Sequence, residues 1–237
     1  MVRAVLFDLD DTLFDHRGCA RSALGAVHAA HTSLSALPFD EVDRVHTTVL
    51  EELHLEVLAG RVALDDARRE RFRRLLAAAG GEATWDEADR AARAYRASYV
   101  AARRAIDGAL ALLPLVKARA RVAIVSNNLL EEQQEKLRVC GLTPFVDALI
   151  VSEEAGVSKP DPAIFQLALD RIAAGAGEAV MIGDSWSADI VGARAAGIPA
   201  IWFNPSGASA PDPGVPVLRS LTPPEPVLSL VFDADRR

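Results

Sequence analysis

The chain has 237 residues, half of them hydrophobic, and a formal net charge of −7. That length suits one large domain or a core with a smaller insert, and the acidic balance excludes the basic footprint of a nucleic-acid binder. No apolar run is long enough for a membrane span, no basic stretch leads into an apolar core and cleavage site, and Cys19 and Cys140 lack motif spacing, so a reduced, cytoplasmic protein is expected. The first element is Arg3-Ala4-Val5-Leu6-Phe7, an apolar run that ends in Asp8, Asp10 and Asp11, with Thr12 next. It reads as a strand buried on both faces of a parallel sheet. The acids then fall at its carboxyl end, the edge where open α/β sheets bind ligands. Asp8 and Asp10 are two apart, so on an extended chain they point the same way. Two like charges held together call for a cation or a proton between them, and an oxygen-only anionic site suits Mg²⁺. Taken alone, the stretch also fits a plain acidic turn.

From Arg17 to Arg104 the chain is rich in Ala, Leu, Arg and Glu, punctuated by Pro38, Gly60 and Gly80-Gly81. Four helices are expected, at roughly Arg17–His31, Asp40–Ala59, Leu64–Ala79 and Thr84–Arg104. Asp40 and Thr84 are the candidate N-caps, and Thr84 with Glu87 has the capping-box spacing. Strand and helix then alternate. Expected strands are Val122–Ser126, Ala148–Ser152, Ala179–Ile182, Ala200–Phe203 and a short Val217-Leu218. Expected helices are Asp107–Ala118, Leu129–Cys140, Ala163–Ala173, Ser187–Ala196 and Glu225–Phe232. Pro162 suits a helix start, and Gly141 suits a helix stop. This alternation predicts an α/β protein with a doubly wound parallel sheet. Residues 1–16 and 105–237 would form the core, and 17–104 an inserted helical domain.

Four places at strand ends carry polar residues: Asp8 with Asp10, Ser126, the Lys159 loop, and Asp184. Parallel strands would bring all four to one edge. Together they resemble the haloacid dehalogenase superfamily. Its Asp-x-Asp-x-Thr motif matches Asp8 to Thr12, its strand ending in Ser or Thr matches Val125-Ser126-Asn127, its Lys before a helix matches Lys159-Pro160, and its Gly-Asp with a later Asp matches Gly183-Asp184 and Asp189. The resemblance spans about Val2 to Phe203, and the insert is similar to the helical cap of the branch near phosphoglycolate phosphatase and β-phosphoglucomutase.

The resemblance implies a Rossmann-like core and a Mg²⁺-dependent phosphomonoesterase acting on a small phosphorylated metabolite such as a sugar phosphate, a nucleotide or a phosphoglycolate-like acid. Asp8 would be the nucleophile that forms an aspartyl-phosphate. Asp8 and Asp184 would bind Mg²⁺ through carboxylates, Asp10 through its backbone carbonyl, and Asp189 through water or by orienting Asp184. Lys159 would pair with phosphate and Asp8. Ser126 would donate to a phosphate oxygen together with the backbone N–H of Asn127, or else cap the following helix. Asp10 would protonate the leaving oxygen and later take a proton from water. True dehalogenases resemble this pattern without the second acid, so Asp10 points to phosphate chemistry. Substrate specificity would lie in the insert.

Weaker signals sit mostly in the insert. His16, near the expected hinge, is a candidate substrate contact. His28 and His31 lack a third ligand and read as surface or inter-helix residues. Arg68 to Arg74 reads as a solvated helix face. Trp186 reads as packing beside the site, Trp85 and Trp202 as packing residues, and Tyr95 with Tyr99 as core. Competing readings are a phosphomutase of the β-phosphoglucomutase type, a receiver-like signalling protein, and a non-catalytic phosphate binder.

Overall fold

The computed structural model describes residues 1–80 and 83–233. Gly81, expected to help punctuate the insert, lies outside the described residues. The chain divides into two compact units: Met1–Asp15 with the chain from Arg104 onward, and His16–Arg103.

The first unit is built on a six-stranded sheet, and every pairing in it is parallel. The strands are β1 (Ala4–Phe7), β2 (Arg121–Ser126), β3 (Ala148–Val151), β4 (Ala179–Gly183), β5 (Ala200–Phe203) and β6 (Val217–Leu218). Their order is β3-β2-β1-β4-β5-β6. The chain runs outward from β1 to β3, then crosses over and runs outward again from β4. The switch point therefore falls between β1 and β4, where such sheets open a crevice at their carboxyl ends. The register is simple: Val5 lies opposite Val122 on one side and Val180 on the other.

Side chains alternate across this sheet. Ala4, Leu6, Ala123, Val125, Ile150 and Met181 pack on one face with Ile164, Phe165, Ala168 and Leu169 of the helix Pro162–Arg171. Asp161 caps that helix through the Ala163 N–H, with Pro162 in its first turn. The helix Ala109–Lys117 lies against β2, and Pro114 is accommodated inside it.

Beyond Asp8 the chain turns tightly. The Leu9 carbonyl accepts from the N–H groups of Leu13 and Phe14 at 2.9 and 2.8 Å. Asp11 adopts a left-handed conformation, φ 63°, which Asp tolerates better than most residues. The outgoing and returning segments are then tied together. Ile106 N–H donates to the Leu13 carbonyl at 2.8 Å, and Asp15 N–H to Arg104 at 3.1 Å. Asp15 and Arg104 also pair through their side chains. Both belong to the first unit, so the division falls one residue earlier at each end than the 16 and 104 drawn from sequence.

The second unit contains the helices His16–Ala30, Phe39–Leu58, Leu64–Ala78 and Trp85–Ala102. The Thr84–Glu87 capping box is formed. Asp40 is not an N-cap. Pro38 holds that position, and Asp40 sits in the first helical turn, where it pairs with Arg21 and where an anion suits the helix dipole. The unit's core carries His46 tilted against Phe72 and Tyr95, with ring centroids 5.7 and 5.1 Å away. Arg71 departs from the expected solvated face. It is buried, with its guanidinium 4.7 Å from the Tyr95 ring, while Arg68, Arg69, Arg73 and Arg74 pair with surface acids. Trp85 is also not a core residue: it is 57% exposed, with Arg73 over its ring. Among the described residues no helix is long and apolar enough to cross a membrane.

Burial, with the Arg71 and His16 charges adding to it, holds the His46 imidazole neutral down to about 3. The unfolded chain binds a proton at about 6.5, so folding opposes protonation between those values and stability falls as pH drops through that window. Between pH 7 and pH 5 the wild type should lose about 2 kcal/mol more than His46→Leu. Urea unfolding at both pH values measures this. Equal losses in the two proteins would show that His46 does not carry the effect.

Candidate active site

The carboxyl ends of the strands bring the expected groups together. Asp8 follows β1, and its N–H donates to Ile182 of β4 at 3.0 Å. Asp184 follows Gly183 at the end of β4, Ser126 ends β2, and Lys159 lies in the loop before Pro162–Arg171. Lys159, 5% exposed, points its ammonium at two carboxylates, 2.7 Å from Asp8 Oδ1 and 2.6 Å from Asp189 Oδ1. Burial by itself would lower the Lys159 pKa. Asp189 and Asp8 more than offset this, so the ammonium is held above its ordinary range.

Asp189 sits on a π-helical segment, Trp186–Val191. Its second oxygen accepts from the Ser185 N–H at 2.9 Å, so both ends of the carboxylate are fixed. Gly183 is required by this arrangement: a Cβ there would overlap the Asp189 side chain, 2.6 Å from its Cβ. Trp202 Nε1 donates to the Asp184 carbonyl at 2.7 Å and lies edge-on to Trp186. Both tryptophans therefore pack beside the site.

Asp8, Asp184 and Asp189 each offer an oxygen, all within 4.8 Å of one another. Asp8 and Asp189 share one ammonium in a buried place, and the partly buried Asp184 lies beside them. Burial pushes the Asp8 carboxyl well above the usual range. The Asp189 and Asp184 charges add to this, and Lys159 opposes it. Asp8 Oδ2 is buried with no hydrogen-bond partner. An orphaned oxygen in an all-oxygen, acidic cluster fits a hard divalent cation such as Mg²⁺, and the absence of sulfur and imidazole donors from the cluster disfavours a zinc-type site.

The Asp10 carboxylate stands apart from that cluster. It accepts from Lys136 Nζ at 2.6 and 2.9 Å, from Gln133 Nε2 at 2.9 Å and from Asn128 Nδ2 at 3.1 Å. The metal role that the sequence resemblance implied falls to its backbone carbonyl and does not call on this carboxylate. Ser126 does not cap the next helix, whose N-cap is Leu129. Its Oγ accepts instead from Gln133 Nε2 at 2.6 Å. Asn127 uses its side chain on the Lys159 backbone, donating to the carbonyl at 2.8 Å and accepting from the N–H at 2.7 Å. This holds the lysine's loop in place. His16 belongs to the second unit, where Nδ1 lies 2.8 Å from the Tyr99 hydroxyl. His28 Nε2 lies 2.9 Å from the carbonyl of Leu37, in the turn before the helix Phe39–Leu58.

Sequence reading missed Asn128, Gln133 and Lys136. A signal was present for Gln133: it lies three residues after Leu130 and four before Leu137, on the face the Leu130–Val139 helix must bury. A polar residue there needs a polar partner.

A doubly wound α/β sheet with acids at its switch point and an inserted helical unit defines a class of hydrolases. The model of the haloacid dehalogenase-like hydrolases matches residues 2–197, and the chain belongs to that family. The chain is 32% identical to a ribulose-1,5-bisphosphate 5-phosphatase of Halopiger xanaduensis over 88% of its length and 87% of the relative's. It is 30% identical to a glyceraldehyde 3-phosphate phosphatase of Methanothermobacter thermautotrophicus over 86% of both. Among solved structures, the HAD-hydrolase YfnB of Bacillus subtilis, bound to magnesium, superimposes with a TM-score of 0.74 at 28% identity, covering 98% of this chain and 99% of that one.

Gly183→Ala should destabilise the protein by about 2 kcal/mol, the usual range for overpacking a fixed core, because Lys159 and Ser185 prevent Asp189 from yielding. Urea unfolding checks this. A change within about 0.5 kcal/mol, typical of a tolerant surface site, would show that Asp189 moves freely.

Proposed function

We propose that the protein is a phosphomonoesterase acting on a small phosphorylated metabolite, with Asp8 as the nucleophile. The observation that carries this reading is the state of Asp8: one oxygen is tied to Lys159, the other is buried and unpartnered. An oxygen of Asp8 forms a bond to phosphorus as the ester P–O bond breaks, giving an aspartyl-phosphate. Asp10 gives a proton to the leaving oxygen, so a neutral alcohol departs. Water then attacks the same phosphorus, Asp10 takes its proton, and phosphate and free Asp8 result. Lys159 offsets the repulsion between carboxylate and phosphate, and Ser126 with the Asn127 backbone N–H donates to phosphate oxygens.

Asp8, Asp184 and the Asp10 carbonyl would hold Mg²⁺, with Asp189 supporting them. The bound ion supplies a Lewis acid and a template for the phosphoryl group. Departure of halide needs no proton, so the presence of Asp10 favours ester hydrolysis over dehalogenation. Two relatives, named for ribulose 1,5-bisphosphate and glyceraldehyde 3-phosphate, support substrates of that size. The helical unit is read as the cap that selects the leaving group.

The test is phosphate release from a panel of phosphorylated metabolites, with Mg²⁺ and with EDTA. Release should need Mg²⁺ and fall at least about 10³-fold in Asp8→Asn, as for loss of a nucleophile. Absence of release from every ester would overturn the reading. Independently of turnover, Mg²⁺ should raise the melting temperature of the wild type and do so much less in Asp184→Asn. Equal rises would remove Asp184 from the metal site.

A further inference from the structure

Asp10 does not stand free at the end of β1. Its carboxylate is gripped by donors from a single segment, Asn128 to Lys136, at 2.6 to 3.1 Å. Lys136 and Gln133 are three residues apart on the Leu130–Val139 helix, so they share a face. Gln133 is fully buried, Lys136 is 2% exposed, and the Phe14 ring lies 5.1 Å from the ammonium. A lysine is rarely placed in such surroundings without a fixed partner, and Asp10 supplies the carboxylate for it.

The Gln133 amide adds a constraint of polarity. Its nitrogen is turned toward the Asp10 carboxylate, and its oxygen is buried without a partner. The same nitrogen donates to Ser126 Oγ at 2.6 Å. Ser126 therefore accepts there, and its own proton remains for a different acceptor. One amide thus links the group at the leaving-group end of the reaction with the group at the phosphate end.

We propose that Gln133 and Lys136 are positioning residues for the reaction. Lys136 fixes the Asp10 carboxylate and stabilises the charge it acquires on giving up its proton. Gln133 orients Asp10 and turns the Ser126 hydroxyl toward the phosphate. This rests on the phosphomonoesterase reading above.

Positioning of a proton donor has a signature that general loss of structure lacks. It matters for a poor leaving group and little for one that departs as a stable anion. Values of kcat/KM with Mg²⁺ are compared for glycerol phosphate and 2,4-dinitrophenyl phosphate, because they report formation of the aspartyl-phosphate and not its later hydrolysis, in which Asp10 serves both substrates; circular dichroism checks each variant's fold. Lys136→Met should lose about 100-fold on the alkyl ester, the low end of a general-acid effect, and about threefold or less on the dinitrophenyl ester. Lys136→Arg should restore part of the ratio. Gln133→Leu should lower both rates, because Ser126 serves both substrates, with the alkyl ester still the more affected. Should Lys136→Met not fold, Lys136→Gln keeps a donor at the site, and the same fall in the ratio is expected of it.

An unchanged ratio in folded Lys136 variants, with Asp8→Asn inactive on both esters, overturns the positioning role and leaves the phosphatase reading intact. Failure of the wild type on both esters and on every metabolite of the panel overturns the phosphatase reading, and this inference falls with it.

Discussion

The contact on which the site depends is one buried ammonium shared by two carboxylates. Lys159 meets Asp8 and Asp189 at 2.7 and 2.6 Å where water has little access. Taking three such charges out of water is costly, and their mutual attraction offsets that cost only with good geometry. The surroundings supply the geometry. Asn127 brackets the lysine's backbone, Ser185 fixes the far oxygen of Asp189, and Gly183 leaves the space that Asp189 fills. Asp184 lies alongside, and the three carboxylates within reach of one another are the set that the proposed function assigns to a cation.

The sheet explains why these groups meet. Parallel pairing with β1 at the centre sets the ends of β1, β2 and β4 side by side, and the β1/β4 switch point opens between Asp8 and Asp184. The two aspartates of the first motif then part company. Asp8 turns to the lysine and the other acids, while Asp10 turns to Lys136, Gln133 and Asn128. Each carboxylate has its own cation. Two acids two residues apart can therefore hold different roles, because their environments differ.

The second unit handles buried charge in another way. His46 sits among aromatic rings and stays neutral. Arg71 lies over Tyr95, and burial lowers its pKa from the usual arginine range. Around them the exposed arginines pair with acids on the helix surfaces, each such pair worth little singly in water. Packing of apolar helix faces, more than charge, therefore holds this unit together.

Much of this protein is legible in its sequence. Alternation of strand and helix, the long strandless insert and polar residues at successive strand ends are local patterns, and each depends on neighbours within a few residues. They lead to the parallel sheet and to Asp8, Asp184, Asp189, Ser126 and Lys159 as one group. What the sequence could not settle depends on contacts between distant segments. Asp40 looked like a cap until Pro38 took that position, and Arg71 looked solvated until the helices closed over it. The grip of Lys136 on Asp10 spans 126 positions, and the buried face of its helix marks Gln133 as needing a polar partner without saying that Asp10 and Ser126 are that partner. Spacing along the chain determined which chemistry is present. The parallel register alone decided which acid meets which cation, because a buried charge takes its partner from whatever strand is packed beside it.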